Sequence, residues 1–297
     1  MCGIEQTRKI WAEILAANKG VKIIDTCVVC GAKNILAIGV FRRSLCLNRC
    51  KSCGFVFLGP QKTENVYKPG HVQQHYIKSS INRGMLTAET EPVLSVIYSR
   101  YRKIADLTAR LAPIDPVADI GCGIGLSMLA LKHLGIESIG YDVNEEFIEQ
   151  AKRFKLDARC EDIVSAPVQR YSVVTLSSMI EHLTNPVAFL ESIRKNTLCQ
   201  GGHVVVTAPN ILSVDFVRDG ENISNINGNH FWYFSNDTLS LALDRAGYDV
   251  VYVHRERREY KDPIMNNAQV YLESFLGVDE NLTGGIGLIA KARSSNL

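Results

Sequence analysis

The chain has 297 residues, more than the ~100–200 of an ordinary domain, so it holds one large domain or two unequal ones. Hydrophobic residues make up 46% and charged residues 22%, which excludes a disordered or fibrous chain and fits a globular one with a full core. Acids and bases nearly cancel, leaving a formal charge of +2 without any long run of like charge, which argues against a dedicated nucleic-acid surface.

The N-terminal stretch is amphipathic, with Glu5, Arg8, Lys9 and Glu13 set among Ile10, Trp11, Ile14 and Leu15. It predicts a helix over 4–18, ended by Lys19-Gly20, and does not read as a secretory leader. No apolar run reaches the ~20 residues of a membrane span, and a cytoplasmic chain with no membrane partner is expected. Nine cysteines in such a compartment point to metal binding or buried thiols before disulfides.

Four of them form two matching knuckles, Cys27-Val-Val-Cys30-Gly31 and Cys50-Lys-Ser-Cys53-Gly54, separated by nineteen residues. This is the spacing of a structural zinc site: each knuckle aims two sulfurs at one point, and the trailing glycine accepts the positive φ that finishes the turn. Four thiolates leave no open position for water, so Zn2+ here is expected to hold structure and do no chemistry. Cys46 is expected in a small core beside the site. Residues 1–58 thus read as a helix and zinc ribbon whose own core is too small to fold without the metal.

Residues 59–112 read as a connector followed by a long helix. The polar stretch 59–90, with Tyr67, His71, His75 and Tyr76, has weak periodicity and is expected to lie over the active site. From 91 to 111, Val93, Leu94, Ile97, Tyr98, Tyr101, Ile104 and Leu107 recur at helical spacing. Beyond 113 the pattern alternates, with strands expected at 117–120, 137–142, 157–160, 172–178, 202–208, 248–254 and 285–292. Strands alternating with helices predict an α/β, Rossmann-like, mostly parallel seven-stranded sheet covered on both faces over 113–297.

The first of these strands runs into "DIGCGIG", with Gly121, Gly123 and Gly125. A dinucleotide turn reads G-x-G-x-x-G and needs a third glycine where this chain has Leu126. Asp119 ends the strand, where a carboxylate repels a pyrophosphate but accepts hydrogen bonds from an ammonium or from turn amides. The stretch resembles the first motif of the class I methyltransferases that use S-adenosylmethionine (SAM), E/D-x-G-x-G-x-G, a cofactor with an ammonium and no phosphate. Asp142, seventeen residues past Gly125 at the end of the second strand, is placed to take the ribose hydroxyls. The resemblance puts Asp162 near the adenine.

The resemblance continues over roughly 114–255. "VVTLSSMIEHLTNPVAFLESI" looks like the family's fourth strand and following loop, "GGHVVVTAPN" like its fifth strand, and "GNHFWYFSNDTLSLALDRAGYDVV" like a segment of ubiquinone O-methyltransferases and of sugar and natural-product methyltransferases. Ser235 in that segment is expected as a helix N-cap. A cysteine ribbon ahead of such a domain is similar to a subgroup that includes deoxysugar C-methyltransferases.

Ligands of open parallel sheets bind beyond the carboxyl ends of the strands. His182 and His230 fall at that edge and are the candidate proton acceptors for methyl transfer. Phe231, Trp232 and Tyr233 are expected either as an apolar wall of a lid over 59–90 and 209–234 or as ordinary packing. The resulting expectation is a SAM-dependent enzyme that methylates a small-molecule acceptor, most plausibly on oxygen of a sugar, quinone-like compound or secondary metabolite. Transfer to carbon or nitrogen of a deoxysugar, or to RNA gripped by the ribbon, are the alternatives. In the sugar C-methyltransferases a glutamate typically precedes the histidine that matches His230; here it is Asn229, which weakens the carbon reading.

Overall fold

The computed structural model describes residues 21–22, 24–41, 45–59, 61–62, 71–163, 169–213, 229–254 and 285–294. The helix expected over 4–18, Tyr67, and residues 214–228 of the expected lid lie outside them.

Strands β1 (Val21–Lys22), β2 (Ile35–Phe41), β3 (Leu45–Cys50), β4 (Val56–Gly59) and β5 (Gln61–Lys62) come first, followed by helices α1 (His71–Asn82) and α2 (Leu94–Ala109). The remainder alternates: β6 (Val117–Ile120), α3 (Leu126–His133), β7 (Ser138–Asp142), α4 (Glu145–Arg153), β8 (Asp157–Cys160), β9 (Tyr171–Ser177), α5 (Pro186–Ser192), β10 (Leu198–Pro209), β11 (Trp232–Tyr233), α6 (Asn236–Arg245), β12 (Tyr248–Val253) and β13 (Gly285–Ala292).

The seven expected strands form one sheet in the order β12-β13-β10-β9-β6-β7-β8. Pairing is parallel from β8 through β10, and β13 enters antiparallel between β10 and β12. The order reverses direction between β6 and β9, which opens the crevice where such sheets bind ligands. Both faces are covered because successive strand residues alternate sides and both sets are apolar. Val204 and Val206 of β10 join Leu239, Ala242 and Leu243 of α6 in one cluster, while Val205 joins Ile104 and Leu107 of α2 in another. Each such fully buried aliphatic side chain contributes about 1.5–3 kcal/mol.

Local chemistry starts the helices. Asn144 and Asn185 accept from Phe147 N and Ala188 N, each at 3.1 Å, and Pro186 supplies a preset first turn. Ser235 forms a capping box with Thr238, as its place in the sequence leads one to expect. The long helix is shorter than its periodicity suggests, Leu94–Ala109 against 91–111.

The polar connector holds a helix that its sequence hides. Ile77 and Ile81 of α1 give it an apolar side, packed against the cluster that holds Ile97, Leu126 and Phe147. Tertiary burial, not propensity, sustains it.

The ribbon is the sheet β11-β4-β3-β2. Its last strand is supplied by Trp232 and Tyr233, which pair with Phe57 and Val56. Trp232 is 1% exposed and packs against the rings of Phe55 and Phe57, with ring centroids 5.8 Å and 6.0 Å away. Tyr233 is buried with Leu47 and Leu58. Phe231, Trp232 and Tyr233 are all buried, so they serve as ordinary packing rather than as the wall of a lid. One cluster of buried side chains runs from Cys27 and Phe55 through Trp232 to the sheet residues Leu176 and Val206.

No helix among the described residues is long and apolar enough to cross a membrane.

Candidate active site at the carboxyl edge of the sheet

Three glycines bend the chain out of β6, with φ of +71° at Gly121, +54° at Gly123 and +84° at Gly125. All three lie in the left-handed region that favours glycine, but their surroundings differ. A Cβ on Gly121 would stand 2.5 Å from Met179 Cγ, and one on Gly125 2.4 Å from Leu156 Cδ1. A Cβ on Gly123 would have nothing within 4 Å. Gly123 thus borders open space fit for a ligand, whereas Gly125, expected as a cofactor residue, lets α3 pack on α4 and β8. In the dinucleotide turn that packing task falls one residue later, at the position Leu126 occupies here. Gly125→Ala should cost about 1–3 kcal/mol by overpacking, read as a lower denaturant midpoint; an unchanged midpoint would show that the close approach is not needed.

Asp119 is 0% exposed, and its two carboxylate oxygens accept from Ser127 Oγ at 2.5 Å and Thr175 Oγ1 at 2.7 Å. Burial pushes its carboxyl up to about 6, against the pull of those hydroxyls. The expected contact with an ammonium or turn amides is replaced by this brace from β6 to α3 and β9. Burial leaves the group no exposed surface from which to reach a ligand, so it shapes the turn from behind.

Asp142 ends β7 and faces the turn. Its Oδ2 accepts from Gly123 N and its Oδ1 from Asn144 N, both at 2.9 Å. Burial raises its pKa against these backbone donors. The carboxylate, partly buried, is thereby locked beside the open space at Gly123. Asp162 lies past the end of β8, exposed.

Tyr76 of α1 closes over this region. Its ring meets Phe147 with centroids 5.7 Å apart. The residue is 42% exposed, and its hydroxyl neighbours Tyr101. Burial raises that hydroxyl's pKa; a hydrogen bond with Tyr101 and the charge of Arg83 lower it, and the charges of Glu181 and Asp142 raise it further. His75 on the same helix is exposed.

The loop after β9 carries the second half of the site. Ile180–His182 form one 3-10 turn. His182 Nδ1 lies 2.8 Å from Asn229 O; a carbonyl only accepts, so Nδ1 carries the proton and the other ring nitrogen keeps its lone pair. Burial lowers the pKa of His182, against that hydrogen bond. On the opposing segment Phe231 N donates to Glu181 O at 2.9 Å. The two bonds bring His230 against His182, with ring centroids 4.6 Å apart and planes at 85°. One side-chain atom each of Glu181, His182 and His230 lies within 4.8 Å of the other two. Glu181 escapes a reading of the sequence: "IEHL" shows a glutamate after a strand, but not that it is 1% exposed.

At the ribbon, Cys27, Cys30, Cys50 and Cys53 bring their sulfurs within 4.8 Å of one another. Cys27 Sγ to Cys53 Sγ is 3.7 Å and Cys30 Sγ to Cys50 Sγ is 3.5 Å. Zinc–sulfur bonds of ~2.3 Å place tetrahedral ligands ~3.8 Å apart, so these sulfurs suit such an ion. The knuckles are alike in detail: Gly31 N and Gly54 N donate to Cys27 O and Cys50 O at 2.8 Å and 2.9 Å, and both glycines have positive φ. Cys46 is buried and not part of the group.

A family model described as a methyltransferase domain matches residues 97–253, just over half of the chain. The mitochondrial ubiquinone biosynthesis O-methyltransferase of Homo sapiens is 29% identical over 153 residues, covering 45% of this chain and 41% of that protein. The ubiquinone biosynthesis O-methyltransferase of Proteus mirabilis is 31% identical over 103 residues, 32% of this chain and 42% of its own length. The chain therefore spans about two fifths of these curated relatives. Among solved structures, a SAM-dependent methyltransferase from Archaeoglobus fulgidus superposes with a TM-score of 0.52 at 19% identity, over 73% of this chain and 99% of its own. Magnesium protoporphyrin IX methyltransferase from Synechocystis PCC 6803, solved with bound S-adenosylhomocysteine (SAH), gives 0.50 at 11%, over 74% and 98%. At these identities the two structures speak for the fold alone. The family match falls on the same glycine turn, six of the seven sheet strands and the histidine-bearing loops, and the chain belongs to the class I SAM-dependent methyltransferases.

Proposed function

We propose that the protein transfers the methyl group of SAM to an oxygen of a small molecule. The observation that carries this reading is the partly buried Asp142 carboxylate, locked on Gly123 beside open space, with His182 and His230 assembled at the same sheet edge. SAM, when bound, supplies an electrophilic methyl on a sulfonium. Asp142 would hold the ribose hydroxyls, the Gly121–Gly123 backbone would border the nucleoside, and Asp162 would stand near the adenine.

The chain's own share of the chemistry is to position the acceptor and take its proton. His230 is the proposed proton acceptor, with His182, neutral and held by Asn229 O, beside it. The O-methyltransferase names of the matched relatives support oxygen as the acceptor atom. The ribbon's strand β4 is paired to β11 and its aromatics are buried, which supports an architectural role over a grip on RNA. The four cysteines are proposed to hold one structural Zn2+.

Equilibrium dialysis with labelled SAM, followed by transfer of its label to a catechol and to a nucleotide-linked sugar, tests the reading. Failure to retain SAM would refute it. Once an acceptor is in hand, His230→Ala should leave SAM affinity intact and slow turnover at least ~10-fold, a general base being usually worth ~100-fold or more. Normal turnover in that variant moves the proton-accepting role elsewhere.

A further inference from the structure

Glu181 is a buried acid at this edge that the binding of SAM, as proposed above, does not use. It is 1% exposed, and neither carboxyl oxygen has a hydrogen-bond partner among the described residues. A buried polar group left so is costly, and native structures keep one where something else engages it. The side chains placed to do so are His182 and His230, each with an atom within 4.8 Å.

The separation is imposed by the backbone. The bond from Phe231 N to Glu181 O and that from His182 Nδ1 to Asn229 O straddle His230, so the main chains that carry the carboxyl and the imidazole are held side by side. Beyond them, Leu58 N donates to Phe231 O at 2.8 Å, which ties the same segment to the ribbon.

We propose that Glu181 is a positioning residue for catalysis: its carboxylate faces His230, and the two side chains take up the acceptor's proton as one coupled pair. When the acceptor's O–H bond breaks, the proton passes to the imidazole ring, the electron pair stays on oxygen to form the new bond to carbon, and the positive charge on His230 faces Glu181. A carboxylate beside the ring favours its charged form, so the pair is a stronger base than a lone, buried histidine. Burial alone pushes the Glu181 carboxyl up to about 8, and the positive charge that forms on His230 draws it back toward its ionised form. Among the described residues, His182 and, from α1, Tyr76 also face it, and Tyr76 feels Asp142 at the end of β7.

This inference rests on His230 being the proton acceptor, which is judged by turnover of His230→Ala; the coupling itself is judged by titration, so the two failures are told apart. The experiment is a carbon-13 NMR titration of histidine-labelled protein saturated with SAH, in the natural chain and in Glu181→Gln, with His230 assigned through His230→Ala. The expected result is unchanged SAH affinity and a His230 midpoint at least ~1 pH unit lower in Glu181→Gln, a tenfold fall in proton affinity. A midpoint that does not move overturns the proposal. If Glu181→Gln does not fold, the side-chain carboxyl carbon of Glu181 in the natural chain must show an inflection at the His230 midpoint. Its absence overturns the proposal equally.

Discussion

Replacing Asp142 by alanine is expected to weaken SAM binding at least ~100-fold while the protein stays folded. Hydrogen bonds to a charged group contribute about 1.5–3 kcal/mol each, and two ribose hydroxyls on one carboxylate would lose both, which corresponds to two or more decades in Kd. The same side chain also anchors Gly123 N and Asn144 N, so the turn loses a brace together with its ligand contact. Asp142→Asn separates the two effects. It keeps an acceptor oxygen for one of the backbone bonds but carries no charge, and it should fall between the natural chain and the alanine variant. Calorimetric titration with SAM and a thermal melt of each variant are the measurements. Unchanged affinity in Asp142→Ala would place the ribose elsewhere, and a collapsed melting transition would show that Asp142 serves the fold first.

Removal of metal from the ribbon should have the second largest effect. The purified chain is expected to carry one zinc per molecule, and Cys27→Ser with Cys50→Ser should abolish it. Structural zinc supplies ~10–16 kcal/mol in small zinc-folded peptides, against ~5–15 kcal/mol for the whole stability of a domain. Even a third of that, lost here, lowers the melting midpoint by about 10 °C. Turnover should fall further than SAM affinity does. The ribbon touches the catalytic edge through β4 and β11, on the segment that carries His230, whereas Asp142 and Gly123 stand on other loops. Metal analysis, differential scanning calorimetry and SAM dialysis on chelated protein decide this. A metal-free chain with an undiminished melting temperature would reduce the knuckles to four buried thiols.

Strand periodicity, the glycine spacing and the two cysteine knuckles each have a local cause, and these were readable in the amino-acid order. A strand buried on both faces must be apolar at successive positions, as Val117–Ile120 and Val204–Val206 are apart from Asp119. A left-handed turn selects glycine, as at Gly31, Gly54 and Gly123. A metal site needs its ligands in pairs on tight turns. The helix Asn236–Arg245 was equally legible, because Ser235 and Thr238 box its first turn by contacts three residues apart.

Features built by residues distant in sequence were not legible. The helix His71–Asn82 has too few apolar positions to declare itself and exists by packing on Ile97 and Phe147. Asp119 reads as a ligand-facing acid until Thr175, fifty-six positions away, is seen to occupy it. Phe231, Trp232 and Tyr233 fit an apolar wall as well as a packed strand until β4 is found lying along them.

Sequence by itself determined the α/β sheet, the SAM-type turn and the cysteine quartet, since each is written in short-range spacing that backbone geometry enforces. Tertiary structure alone decided that the ribbon borrows a strand from the segment carrying His230, and that a glutamate without a hydrogen-bond partner among the described residues is buried within reach of that histidine. The reason is that burial and pairing are properties of the folded whole: no residue's neighbours in sequence record which distant strand will cover it or whether its charge will meet a partner.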